Sequence, residues 1–285
     1  MSFIPAGVLL RAAQSGGYAV GAFNYSNLET LQAIVRAAEA EKAPVILQAT
    51  PGAIRYAGLD YLAALARAAA QKAAVPLALH LDHGTDPGLA EECVRAGFSS
   101  VMIDGSKLPL EKNIALTRQV LEVARRAGVS VEAELGRISG TEDEITVAER
   151  EALFTDPEEA RFFVEQTGVD SLAVAVGTAH GVYRGEPQLD FERLSKIRGL
   201  VPVPLVLHGS SGVPDDAIRE AIARGVQKIN IDTDIRLAFL GAVRQALTEK
   251  PGEIDPRQIL GPAREAAVEV VRKKIRLFGS AGKAG

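Results

Sequence analysis

The chain has 285 residues, 47% apolar and 24% charged, which is enough for a sizeable core, and it contains no run long enough to span a bilayer. A formal charge of −4 with no long basic block argues against nonspecific nucleic-acid binding, although a local basic pocket for a phosphorylated metabolite is compatible with it. The opening "MSFIPAGVLL" lacks a signal-peptide layout and the single cysteine, Cys93, cannot form an intramolecular disulfide. A cytoplasmic protein acting on a small molecule, without a membrane or nucleic-acid partner, is therefore expected.

The first segment, "IPAGVLLRAAQSGG", reads as a helix. Short β-rich runs then alternate with longer Ala/Leu/Glu/Arg-rich stretches of helical period, the pattern of parallel strands joined by crossover helices. The strands are predicted at 18–24 ("YAVGAFN"), 44–50 ("PVILQAT"), 76–82 ("PLALHLD") and 99–104 ("SSVMID"). The series continues at 129–135 ("VSVEAEL"), 170–177 ("DSLAVAVG"), 203–208 ("VPLVLH") and 226–232 ("VQKINID"). Eight consecutive βα units without a Pro/Gly/Ser-rich linker predict one α/β domain over residues 1–285, a closed (β/α)8 TIM barrel. The N-terminal helix would cap its bottom, and "DPRQILGPAREAAVEVVRKKIRLFG" would add one or two C-terminal helices. The longest connection, "GRISGTEDEITVAEREALFT" (136–155), has no apolar period and is expected to be an irregular lid.

In a parallel barrel the C-terminal strand ends share the face that carries active sites. Polar residues gather at those ends: Asn24, then Gln48 and Thr50, then His80, Asp82 and His83, Asp104, and Glu132 with Glu134. His180 follows the sixth strand, His208 ends the seventh, and Asn230, Asp232 and Thr233 end the eighth. The chain has four histidines, and three of them, His83, His180 and His208, come from different strand ends that could converge on one ion with a position left open for substrate. His80 shares the inward parity of Asp82 and is read as a supporting or core histidine. Asp104 and Glu134 suit either charge balance or an alternative metal position. The turn "HGSSGVPDDAIREAIARG" (208–225) and "NIDTDIRLAFL" (230–240) each lead into a helix, where backbone N–H groups form an anion site.

Taken in order, "HLDHG", "EAELG", "AVGTAHGVY", "LHGSSG" and "NIDTD" closely resemble the class II, metal-dependent ketose-bisphosphate aldolases, and the similarity covers nearly the whole chain. The resemblance implies that His83, His180 and His208 bind the catalytic zinc or cobalt, with Asp104 and Glu134 at a secondary metal position. It implies Asp82 as the acid/base on the C4 hydroxyl, and Asn230, at the end of the eighth strand, could hydrogen-bond the enediolate. Glu142, in "SGTEDE", corresponds to the lid carboxylate that exchanges the C3 proton, with Asp143 as the alternative register. Asn24, Gly181, Gly209, Ser210, Ser211, Asn230, Asp232 and Thr233 match the segments that bind dihydroxyacetone phosphate, where a monovalent cation is also expected. A homodimer or homotetramer is implied.

Fructose 1,6-bisphosphate is favoured over tagatose 1,6-bisphosphate because "RLFGSAG" resembles glycolytic members. The basic tail, Arg272, Lys273, Lys274 and Arg276, is a candidate for reaching a phosphate. Two rival readings are a Schiff-base aldolase using the inward-facing Lys228 and a metal-dependent hydrolase on the same fold. The hydrolase reading is weakened by the absence of an "HxH" pair on the first strand, and Lys228 has an alternative role as a cation balancing Glu132 or Glu134.

Overall fold

A computed structural model describes residues 2–142, 145–147, 154–183, 185 and 187–284, with the backbone alone described over 139–142 and 145–147. Helix α1 (Ala6–Gly16) leads into β1 (Val20–Asn24), α2 (Leu28–Glu41), β2 (Val45–Ala49), α3 (Pro51–Ala57) and α4 (Leu59–Lys72). Next come β3 (Leu77–Gly84), α5 (Pro87–Arg95), β4 (Ser100–Ile103), α6 (Leu110–Arg126), β5 (Ser130–Leu135) and the short strands β6 (Ser139–Glu142) and β7 (Ile145–Val147). The remainder is α7 (Pro157–Thr167), β8 (Ser171–Val174), β9 (Ala179–His180), α8 (Phe191–Leu200), β10 (Leu205–Leu207), α9 (Asp215–Ala223), β11 (Val226–Ile231), α10 (Thr233–Glu249) and α11 (Pro256–Leu277).

Eight strands, β1, β2, β3, β4, β5, β8, β10 and β11, close into a barrel of parallel pairs. Each overlaps one of the eight predicted runs. Their residues are buried throughout, because helices cover the outer face while neighbouring strands fill the inner one. At the bottom, Leu9, Leu10 and Ala13 of α1 pack against the inward Val20, Ala22, Ile46 and Ala78. The N-terminal helix is thus the predicted plug. The backbone N–H of Gly7 also donates to Ser130 Oγ at 3.0 Å, which ties α1 to β5.

The predicted C-terminal addition is the 22-residue helix α11, packed against α10 and α2. Its basic residues are committed to that packing: Arg272 and Arg276 pair with Glu41 at 2.8 and 2.7 Å, and Lys274 pairs with Asp234 at 2.8 Å. These three ion pairs help to seat the helix. No helix among the described residues is long and apolar enough to cross a membrane.

Part of the segment after β5, expected to be irregular, is regular strand over 139–142 and 145–147. β6 and β7 form an antiparallel hairpin, and β6 also pairs in parallel with β9, setting Gly140 opposite His180. Backbone hydrogen bonds to a segment distant in sequence make these strands, and such pairing leaves no apolar alternation to read.

Candidate active site

The top of the barrel is built around an irregularity in β3. Leu81 pairs with Val101 and the next partners are Gly84 and Ile103, so Asp82 and His83 together oppose Met102 alone, which is a β-bulge. His83 sits at φ 50, in the left-handed region that non-glycine residues seldom adopt. Regular alternation would turn adjacent side chains to opposite faces. The bulge brings both Asp82 and His83 to the mouth.

Asp82 is fully buried and accepts three amide hydrogen bonds, from Asn24 Nδ2 at 3.0 Å, Gln48 Nε2 at 3.1 Å and Asn230 Nδ2 at 3.0 Å. Gln48 Nε2 also donates to Asn24 Oδ1 at 2.6 Å, linking β1, β2, β3 and β11 at one level. Gln48 Oε1 and Asn230 Oδ1 are buried with no hydrogen-bond partner among the described residues. Buried acceptors of that kind call for a donor from elsewhere, such as a polyhydroxylated ligand.

Beside this carboxylate the three predicted imidazoles meet. Ring centroids lie 4.5 Å apart for His83 and His208, 4.9 Å for His83 and His180, and 6.1 Å for His180 and His208, and the planes are nearly perpendicular. One donor atom of each lies within 4.8 Å of the others, and the same holds for His83, Asp104 and Glu134. Nδ1 of His208 is 2.8 Å from Nε2 of His83, a separation at which two lone pairs need a proton or a cation between them. Burial and the neighbouring His83 both hold the His208 imidazole below its ordinary range, leaving it neutral and able to ligate.

Two carboxylates close the second side. Asp104 Oδ2 lies 3.5 Å from His83 Nδ1; burial opposes its ionisation, but the His83 imidazole and Ser106 outweigh that and hold its carboxyl down at about 2. Burial, reinforced by Asp104, pushes Glu134 well above the usual carboxylate range, and its Oε2 has no hydrogen-bond partner among the described residues. A bound cation would reverse that penalty. The donor set, the imidazole pair at contact distance and this unsatisfied carboxyl oxygen together fit a divalent metal.

A pocket beside the imidazoles is lined by Asn24, His180, Gly181, Gly209, Ser210, Ser211, Asn230, Asp232, Thr233 and Arg236. It gathers all eight residues expected to bind the phosphorylated substrate. Gly209 has φ 62, and a Cβ there would stand 2.6 Å from Ala179 O, so only glycine lets this turn approach the β9 loop. Tyr183 clamps the same contact: its hydroxyl donates to Gly209 O and accepts from Ala179 N, both at 2.7 Å. Helix α10 starts at the pocket, and its N-cap, Asp232, makes no side-chain capping bond, whereas Asn27, Thr50 and Asp86 cap the helices after β1, β2 and β3. Ser211 Oγ accepts from the backbone N–H of Asp234 at 3.3 Å, and the helix N-terminus otherwise faces the pocket as an anion site does.

Several contributors were not singled out as site residues from the sequence. Gln48, in register with His80, and Glu132 were named at the strand ends without a role in the site; Tyr183 and Arg236 carried no such signal. Glu142 lies in β6, but its side chain is outside the described residues, as is the whole of Asp143. A wider groove at the opposite end of the barrel, lined by Phe3, Arg67, Phe98 and Val129 among others, holds no cluster of titratable groups among the described residues.

Comparison with known proteins agrees with this geometry. A family model described as fructose-bisphosphate aldolase class-II matches residues 6–283. A fructose-bisphosphate aldolase of Thermus caldophilus is 49% identical over 97% of this chain and 98% of its own. Among solved structures, the YdjI aldolase from Escherichia coli K12 superposes with a TM-score of 0.86 at 35% identity, covering 99% of this chain and all of that one. A putative fructose-1,6-biphosphate aldolase from Coccidioides immitis gives 0.88 at 35% identity, over 97% and 96% of the two chains. With the barrel closed, the imidazoles convergent and the match spanning nearly every residue, the chain belongs to the class-II fructose-bisphosphate aldolase family.

Proposed function

We propose that this protein catalyses the reversible cleavage of fructose 1,6-bisphosphate to dihydroxyacetone phosphate and glyceraldehyde 3-phosphate. The observation that carries the reading is the juxtaposition of three groups: a triple-imidazole cluster, a buried carboxylate held by three amides, and an anion pocket at a helix N-terminus. His83, His180 and His208 would hold zinc or cobalt, which suits a nitrogen-rich set, with Asp104 and Glu134 offering a second position. A metal bound there supplies Lewis acidity toward the substrate carbonyl.

Asp82 takes the proton of the C4 hydroxyl as the C3–C4 bond breaks and returns it in the condensation direction. Asn24, Gln48 and Asn230 aim that carboxylate, and the buried Asn230 and Gln48 carbonyls are placed to accept from substrate hydroxyls. Gly181, Gly209, Ser210, Ser211 and Thr233, with the start of α10, bind the phosphate and supply orientation away from the reacting bond. These turns are also where a monovalent cation would sit.

Fructose over tagatose stereochemistry is supported by the name of the Thermus relative and tested by side-by-side kinetics on the two C4-epimeric bisphosphates. A higher kcat/KM for the fructose epimer is expected, and a preference for tagatose would overturn the assignment.

Glu142, carried on the strand that pairs with the His180 segment, is the proposed base for the C3 proton of dihydroxyacetone phosphate. Glu142→Gln should slow exchange of that hydrogen with solvent without loss of metal. Wild-type exchange in this variant, with Asp143→Asn impaired instead, would move the base by one residue.

A further inference from the structure

Below the imidazole cluster lies a chain of buried ionisable groups that proton transfer and phosphate binding do not use. His208 Nε2 is 2.8 Å from Glu132 Oε1, and Glu132 Oε2 is 2.9 Å from Lys228 Nζ. Lys228 Nζ is 3.4 Å from His80 Nε2, and His80 Nδ1 is 2.8 Å from Ser100 Oγ. Side-chain exposure is 0% for Lys228, His80 and His208 and 2% for Glu132.

We infer that Glu132 is a positioning residue of the metal centre, fixing His208 with its proton on Nε2 and its lone pair on Nδ1, and that Lys228 is the counter-ion that lets Glu132 stay buried there. The inference rests on the reading that His83, His180 and His208 hold the metal.

The donor and acceptor roles leave little choice. A carboxylate can only accept, so the His208 nitrogen that faces it carries the proton. The lone pair of the neutral ring is then on Nδ1, the atom 2.8 Å from His83 Nε2 and turned into the cluster. Without Glu132 the ring is free to place its proton on Nδ1, which would set an N–H against the metal position. Metal-binding histidines gain affinity from an outer carboxylate of this kind, and its loss typically costs 10–100-fold.

Lys228 fits the same logic. A lone ammonium beneath a cation site would repel the metal, and a lone buried carboxylate would be costly to the fold. Glu132 stands between Lys228 and His208, so each charge has its partner. His80 accepts from Lys228 at Nε2 and donates from Nδ1 to Ser100, which finishes the chain with no charge left over. An amine held in this pair is poorly placed to attack a carbonyl, which favours the charge-balancing role for Lys228 over the Schiff-base one.

The test measures the Co²⁺ dissociation constant by competition with a chromophoric chelator, the Co²⁺ visible spectrum and the Tm of the metal-free protein. It compares wild type, Glu132→Gln, Lys228→Met and the double variant. Glu132→Gln should weaken Co²⁺ binding about 10–100-fold and alter the visible bands. Lys228→Met should lower Tm while leaving Co²⁺ affinity within a few-fold of wild type. The double variant should recover Tm above either single change yet bind Co²⁺ as weakly as Glu132→Gln. Wild-type Co²⁺ affinity in Glu132→Gln or in the double variant would overturn the inference, and so would affinity that merely follows Tm across the series. A wild-type protein that binds no Co²⁺ would overturn the histidine metal site itself.

Discussion

Asp82→Asn is expected to lower kcat by roughly 10²–10⁴, the range for a lost general acid/base, while metal content stays near wild type. The separation follows from the contacts. All three hydrogen-bond partners of Asp82 are amides, of Asn24, Gln48 and Asn230, and none is one of the clustered imidazoles. The change removes the site that accepts the hydroxyl proton and leaves the ligand set intact. It also sets an amide NH₂ against a ring of donors, so one buried hydrogen bond becomes donor facing donor, worth about 1–3 kcal/mol of stability. The Tm of the variant therefore has to be recorded beside its kinetics. Metal analysis, turnover of fructose 1,6-bisphosphate and Tm together check the prediction; wild-type turnover would show that another group moves the C4 proton.

The eight barrel strands were legible because each is a short β-rich run between helical periods, and the parallel barrel then follows from connection length alone. The polar strand ends were legible for the same reason. What strand parity could not deliver is how Asp82 and His83, neighbours in sequence, serve one site. That depends on the bulge opposite Met102 and on His83 at φ 50, and no glycine marks the position because an imidazole is needed there. Holding a non-glycine residue in that region costs on the order of 1–3 kcal/mol, a strain of the kind that collects at functional sites. The β6–β7 hairpin was missed for a different reason. Its strands are four and three residues long, paired through backbone groups to each other and, for β6, to β9, so side-chain pattern carries no record of them. Glu132 and Lys228 could be read as a balancing pair; that the carboxylate also holds His208 needed coordinates.

Removal of the metal has the largest effect expected of any single treatment, because the three imidazoles, the unsatisfied Glu134 oxygen and the Asp82 carboxylate form one centre. A metal held at a thousand times its dissociation constant stabilises the folded state by about 4 kcal/mol, so the metal-free protein should also melt earlier. The decisive measurement is triose phosphate release from fructose 1,6-bisphosphate before chelation, after exhaustive dialysis against EDTA, and after adding back Zn²⁺ or Co²⁺. The account predicts that activity disappears with the metal and returns with either ion, and that borohydride added with substrate traps nothing on Lys228. Undiminished release from protein shown by elemental analysis to be metal-free, or a borohydride adduct at Lys228, would contradict it.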